Sequence, residues 1–136
     1  MRKVKVIRGK DLEFQKGYEP PLMGKTGICS KTVENPRLTQ AHVIIPPGGR
    51  NQRHYHIECD AGMYILKGRV KMFFGPDHEA KEEILEAGEF FFVPKGEIHG
   101  LMNLSETETA EMVSAYGGAG SFKEAKTVFV EPSWEK

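Results

Sequence analysis

The chain has few cysteines, no excess of either charge and no long apolar run. The two cysteines, Cys29 and Cys59, cannot build the disulfide framework of a small secreted domain. Lys plus Arg equals Asp plus Glu at 19 each, so there is no basic excess to bind nucleic acid or an anionic membrane. No stretch reaches the length of a membrane-spanning helix. The start, MRKVKVIRGKDLEF, is basic but is not followed by the apolar core of a signal peptide. These absences lead us to expect a cytoplasmic protein with reduced thiols; a single Cys29–Cys59 disulfide is the alternative. No repeat, low-complexity segment or long helical pattern is visible, and nothing marks a domain boundary, so residues 1–136 read as one domain.

What is present is a series of short β patterns. Hydrophobic residues make up 39% of the chain beside 15 Gly and 8 Pro, a balance that suits short strands and tight turns. Such a chain can bury a core without a metal as a staple, so a metal here would be functional rather than structural. Strands are expected at Val4 to Ile7, residues 38–45, Gln52 to Ile57, Met63 to Leu66, Arg69 to Phe74, around Ile84 and Leu85, Glu89 to Val93, Gly100 to Leu104, and Ala110 to Ala115. Gly68 reads as a hairpin turn. Residues 17–25 and 75–83 read as irregular, 121–126 as a turn of helix, and 127–130 as a last strand. This spacing indicates an all-β sandwich or barrel.

Five histidines are present, and three stand out. In a strand, His54-x-His56 places both imidazoles on one face, because side chains alternate with period two. Paired imidazoles suit a borderline metal such as Zn, Fe, Ni or Cu. His99 follows 43 positions later, beyond a Pro-x-Gly turn, where an antiparallel barrel could bring it opposite the pair. His42 is a lone strand histidine, more often packed or hydrogen-bonded than a ligand, and His78 lies in a polar loop. Gln52 shares the parity of His54 and His56 and should face the pocket. Met63, Ile65, Arg50, Arg53 and Tyr116 are further pocket or rim candidates. Cys59 lies near the site, most often the position of a small buried hydrophobe. Phe90, Phe91 and Phe92 read as barrel wall.

Two segments, residues 48–68 and 88–103, resemble the paired motifs of the cupin superfamily. Gly48, His54, His56 and Gly68 match the first; Gly88, Pro94, Gly96, His99 and Asn103 match the second. The resemblance implies a double-stranded β-helix, a jelly-roll barrel whose mouth holds one divalent metal ion (Fe, Zn, Ni or Mn). It implies His54, His56 and His99 as the ligands. One departure matters. At the place of the family's glutamate, seven residues before Gly68, stands Ala61. The expected site is therefore three histidines alone, with Glu58 or Asp60 the alternative fourth ligand if the loop after His56 differs.

Three neutral histidines would leave the ion's charge uncompensated and favour a small anionic or chelating molecule. The best specific reading is an Fe(II) dioxygenase. A non-redox isomerase or lyase, and a non-catalytic binding barrel, are the alternatives. No side chain is fixed as the general base; Glu58, Asp60 and Tyr116 are candidates. The expected assembly is a homodimer joined through the terminal strands, which would serve as arms, with a small-molecule ligand and no nucleic-acid or membrane partner.

Overall fold

The computed structural model describes residues 3–16, 19 and 21–131. Among these residues the strands, in chain order, are β1 (Gln15–Lys16), β2 (Met23–Ile28), β3 (Leu38–Ile45), β4 (His54–His56), β5 (Asp60–Lys67), β6 (Arg69–Phe74), β7 (Lys81–Glu86), β8 (Phe90–Val93), β9 (His99–Asn103), β10 (Ala110–Gly117) and β11 (Thr127–Phe129), with a one-turn helix α1 (Phe122–Ala125) before the last. They form two antiparallel sheets, in the orders β1-β2-β3-β10-β5-β8 and β11-β4-β9-β6-β7. Successive strands cross repeatedly from one sheet to the other, as a jelly-roll requires. No helix of the described residues is long and apolar enough to cross a membrane.

Alternation builds the core. Thr39, Ala41, Val43 and Ile45 of β3 face inward, as do Ala61, Met63 and Ile65 of β5 and Ala110, Met112, Ser114 and Tyr116 of β10. Val70 and Met72 of β6 and Leu101 of β9 meet them from the second sheet. Each fully buried side chain of this size contributes about 1.5–3 kcal/mol. Of the three consecutive phenylalanines only Phe91 packs on the core; Phe90 and Phe92 point outward and are exposed. Both cysteines are buried and free, so the disulfide alternative does not apply.

Several expectations are corrected. Gly68 is a corner between sheets, not a hairpin turn: β5 pairs with β10 and β8, whereas β6 pairs with β7 and β9. Its φ is +87°, and a Cβ there would lie 2.9 Å from the Cβ of Ala110. Val4 to Ile7 forms no strand; Val4 and Val6 are exposed, so the alternation has no face to bury against. Of the segment 17–25 expected to be irregular, residues 17, 18 and 20 lie outside the described residues, and residues 23–25 belong to β2. The 127–130 segment folds back on its own barrel. Thr127, Val128 and Phe129 pair with His56, Tyr55 and His54, and β11 forms one edge of the five-stranded sheet.

Asn103, the last residue of the second motif, has a structural task. Its Nδ2 donates to the carbonyls of Ile45, Pro46 and Glu108, and its Oδ1 accepts from Ser105 N. This ties the turn before β10 to the end of β3.

Because Gly68 combines a positive φ with a close neighbour, Gly68→Ala should destabilise the barrel by about 1–3 kcal/mol. Gly24→Ala, in β2 with open space for a Cβ, should be close to neutral. Urea unfolding of both variants checks this; equal midpoints would contradict the assigned role of the corner.

Candidate metal centre

The register of β4 against β9 assembles the site. His54 and His99 are Cα partners across this antiparallel pair, and His56 follows on the same face of β4. The turn before β9 is fixed to β4 by a bond from Gly96 N to His56 O of 2.8 Å, and Gly96 has φ +86°. All three imidazoles are buried. Their ring centroids lie 4.9 Å (His54–His56), 4.3 Å (His54–His99) and 5.2 Å (His56–His99) apart. One ring nitrogen from each lies within 4.8 Å of the others.

The hydrogen bonds fix the ring orientations. His54 Nδ1 donates to Gln52 O at 2.7 Å, and His99 Nδ1 donates to Glu97 O at 3.0 Å. A carbonyl can only accept, so both Nδ1 atoms carry the proton in the neutral ring, and Nε2 keeps its lone pair. His56 Nδ1 pairs with Thr127 Oγ1 at 2.8 Å. His54 Nε2 and His56 Nε2 are buried without a hydrogen-bond partner. Orphaned buried ring nitrogens beside each other are costly unless a Lewis acid takes both. The residues therefore fit a divalent metal ion. Burial drives His56 down to about 4 and His99 to about 3, so both rings are neutral around neutral pH.

The structure adds a residue that the sequence did not single out. Glu19, from the segment preceding β2, places Oε1 2.9 Å from His54 Nε2 and 3.8 Å from His56 Nε2. Tyr116 OH donates to the same Oε1 at 2.8 Å, and Asn51 Nδ2 donates to Oε2 at 3.0 Å. Burial opposes the charge on Glu19, but the adjacent histidines, His54 above all, hold its carboxyl below the usual carboxylate range. Burial also lowers His54, yet Glu19 outweighs it and raises the ring overall. No spacing rule links residue 19 to residue 54.

The other sequence candidates fall in different places. Glu58 is exposed and 3.7 Å from Lys126 Nζ, and Asp60 accepts from Lys95 N at 3.0 Å; neither joins the histidine cluster. Ala61 and Ile65 are packed in the core, while Met63 lines the cavity. Gln52 does not face the cavity. It precedes β4, where strand parity does not hold, and its side chain donates to Glu131 O at 2.6 Å. Arg50 and Arg53 likewise bind Glu131, whose carboxyl they hold low despite burial, and so pin the end of β11 rather than line the cavity. Tyr116 lines the cavity and stacks on His56 with centroids 4.6 Å apart. Cys59 is buried, and burial with the charges of Asp60 and Glu19 pushes its thiol up to about 11. His42 pairs with Glu111 at 2.7 Å, and His78 is exposed.

The site opens on a cavity of about 830 Å³. Leu22, Val43, Met63, Leu101 and Met112 line its wall, with His99, Asn51, Ser114 and Tyr116 as polar points, and residues of the segment 11–32 cover it. This is the composition of a small-molecule site, apolar with a few convergent polar groups.

Residues 41–116 match the family model described as a cupin domain. The chain is 33% identical over 76 residues to an uncharacterized protein of Aquifex aeolicus (strain VF5), covering 56% of this chain and 58% of that one. It is 32% identical over 87 residues to germin-like protein 5-1 of Oryza sativa subsp. japonica, covering 57% and 37%. It thus spans 58% and 37% of the length of these curated relatives. In fold it is similar to the polyketide cyclase RemF from Streptomyces resistomycificus, with a TM-score of 0.77, 21% identity, and coverage of 97% of this chain and 89% of that one. With the model matching more than half of its length, the chain belongs to the cupin family.

Proposed function

We propose that His54, His56 and His99 hold one divalent metal ion, and that the protein is a metal-dependent enzyme acting on a small anionic or chelating molecule bound in the adjoining cavity. The observation that carries this is the cluster of three buried imidazoles with one ring nitrogen from each within 4.8 Å of the others, all with ring orientation set through Nδ1. When bound, the ion would supply Lewis acidity and, if it is iron, a centre for oxygen chemistry. The chain's own residues do the rest. The carbonyls of Gln52 and Glu97 aim two of the rings. The apolar wall of Val43, Met63, Leu101 and Met112 excludes water from a bound substrate. Ser114 faces the cavity beside this wall, while Asn51 and Tyr116 hold Glu19.

The most specific form of this reading is an Fe(II) dioxygenase. A second form, a non-redox isomerase or lyase at the same ion, is favoured by Tyr116, which lines the cavity, stacks on His56 and donates its hydroxyl to Glu19, a pair able to pass a proton. The homodimer expected from the sequence has two edge strands to draw on: β11, and β8 with Phe90 and Phe92 exposed.

Tag-free protein purified without chelator should carry close to one metal ion per chain. His54→Ala and His99→Ala should lose most of it, and His78→Ala should retain it. Elemental analysis reads all of these, and equal metal in every variant would remove the proposed centre. The barrel should stay folded in each, as seen by circular dichroism, because the core does not depend on the ion.

Iron-loaded protein offered a β-diketone, a catechol and a small thiol in an oxygen electrode should consume oxygen with at least one of them, and His99→Ala should abolish the uptake. Anaerobic turnover without oxygen consumption would replace the dioxygenase by the isomerase or lyase reading.

A further inference from the structure

We infer that Glu19 is the fourth ligand of the metal, delivered by the segment ahead of the barrel in place of a carboxylate from the motif strand. The inference rests on the metal centre proposed above and concerns how that centre is completed.

The first ground is the distance of Glu19 from the two histidines of β4. Its Oε1 is 2.9 Å from His54 Nε2 and 3.8 Å from His56 Nε2. Donors about 2.1 Å from a common ion are about 3.0 Å apart at right angles and about 3.4 Å apart at tetrahedral angles. The oxygen thus stands as near these two nitrogens as a fellow ligand would. It pairs with His54 without the ion, lies outside the compact three-histidine group, and would close on His99 when the ion binds.

The second ground is that the carboxylate is held in place by other bonds. Asn51 Oδ1 accepts from Leu101 N at 2.8 Å, which fixes the amide and turns Nδ2 towards Glu19. Tyr116 OH holds Oε1 from the other side. Asn51 and Tyr116 are themselves buried. Supporting hydrogen bonds of this kind orient ligating carboxylates. Tyr116 is also the strand partner of Ala61, so the small side chain at the family's glutamate position lies next to the tyrosine that positions Glu19. The two nearby acidic residues of the motif segment, Glu58 and Asp60, are engaged elsewhere.

The test uses Co(II) alone as the probe, with the full chain stripped of metal. Affinity is read by competition with a chelator and coordination by the visible spectrum of the bound ion. Glu19→Ala should still bind one ion but at least about tenfold more weakly, with a changed band intensity from the lost oxygen donor. Glu19→Gln, which keeps the shape and one carbonyl oxygen, should fall between it and the native protein. Tyr116→Phe should keep the native spectrum with a smaller loss of affinity. Native affinity and spectrum in Glu19→Ala, while His99→Ala loses the ion, would overturn the ligand assignment and leave the histidine centre standing. Weaker binding with an unchanged spectrum would also overturn it, because Glu19 would then act through its charge alone. Native binding in His99→Ala as well would bring down the histidine centre itself.

Discussion

The antiparallel pairing of β4 with β9 sets His54 opposite His99, and the site depends on that register. Side chains alternate along a strand, so a slip of one residue would turn one of these imidazoles out of the barrel and leave the other without its partner. Two devices hold the pairing. Gly96 bonds from the turn before β9 to the carbonyl of His56, and Asn103 anchors the end of β9 to the corner after β3. On the other side of β4, Thr127 of β11 reaches His56 Nδ1. The short strand that carries two of the three histidines is thus braced from both edges of its own sheet.

Burial then decides the electrostatics. Imidazoles taken out of water resist protonation, which keeps His56 and His99 neutral, in the state a metal requires. A carboxylate taken largely out of water would be costly alone. Glu19 is tolerated because Tyr116 and Asn51 donate to its two oxygens and His54 stands against it. With Glu19 in the ligand set, a divalent ion would retain about one positive charge instead of two. Two positions on an octahedral ion would still be open for a chelating or anionic molecule in the cavity.

The parts of this arrangement that are local in sequence could be read from it. The bounds of β3 and β6, the shared face of His54 and His56, and the Pro-x-Gly turn before His99 follow from alternation and from residues that end strands. The parts that depend on which sheet a strand joins could not. Gly68 looks like a hairpin turn because two strands flank it, and only the pairing shows that the chain changes sheets there. Gln52 has the right parity but lies before β4 begins, so its carbonyl serves the site and its side chain does not. Glu19 was invisible for a related reason. Its meeting with His54 spans 35 residues and follows no motif spacing, whereas Glu58 and Asp60 lie close to the motif.

The central claim is that one ion sits among these particular nitrogens. Anomalous diffraction from a crystal of the metal-loaded protein, recorded at the absorption edge of the ion found by elemental analysis, addresses it directly. The account predicts a single strong peak within bonding distance of the Nε2 atoms of His54, His56 and His99. A peak at His42 or His78, or no peak between the three buried imidazoles of a protein that carries the ion, would contradict it.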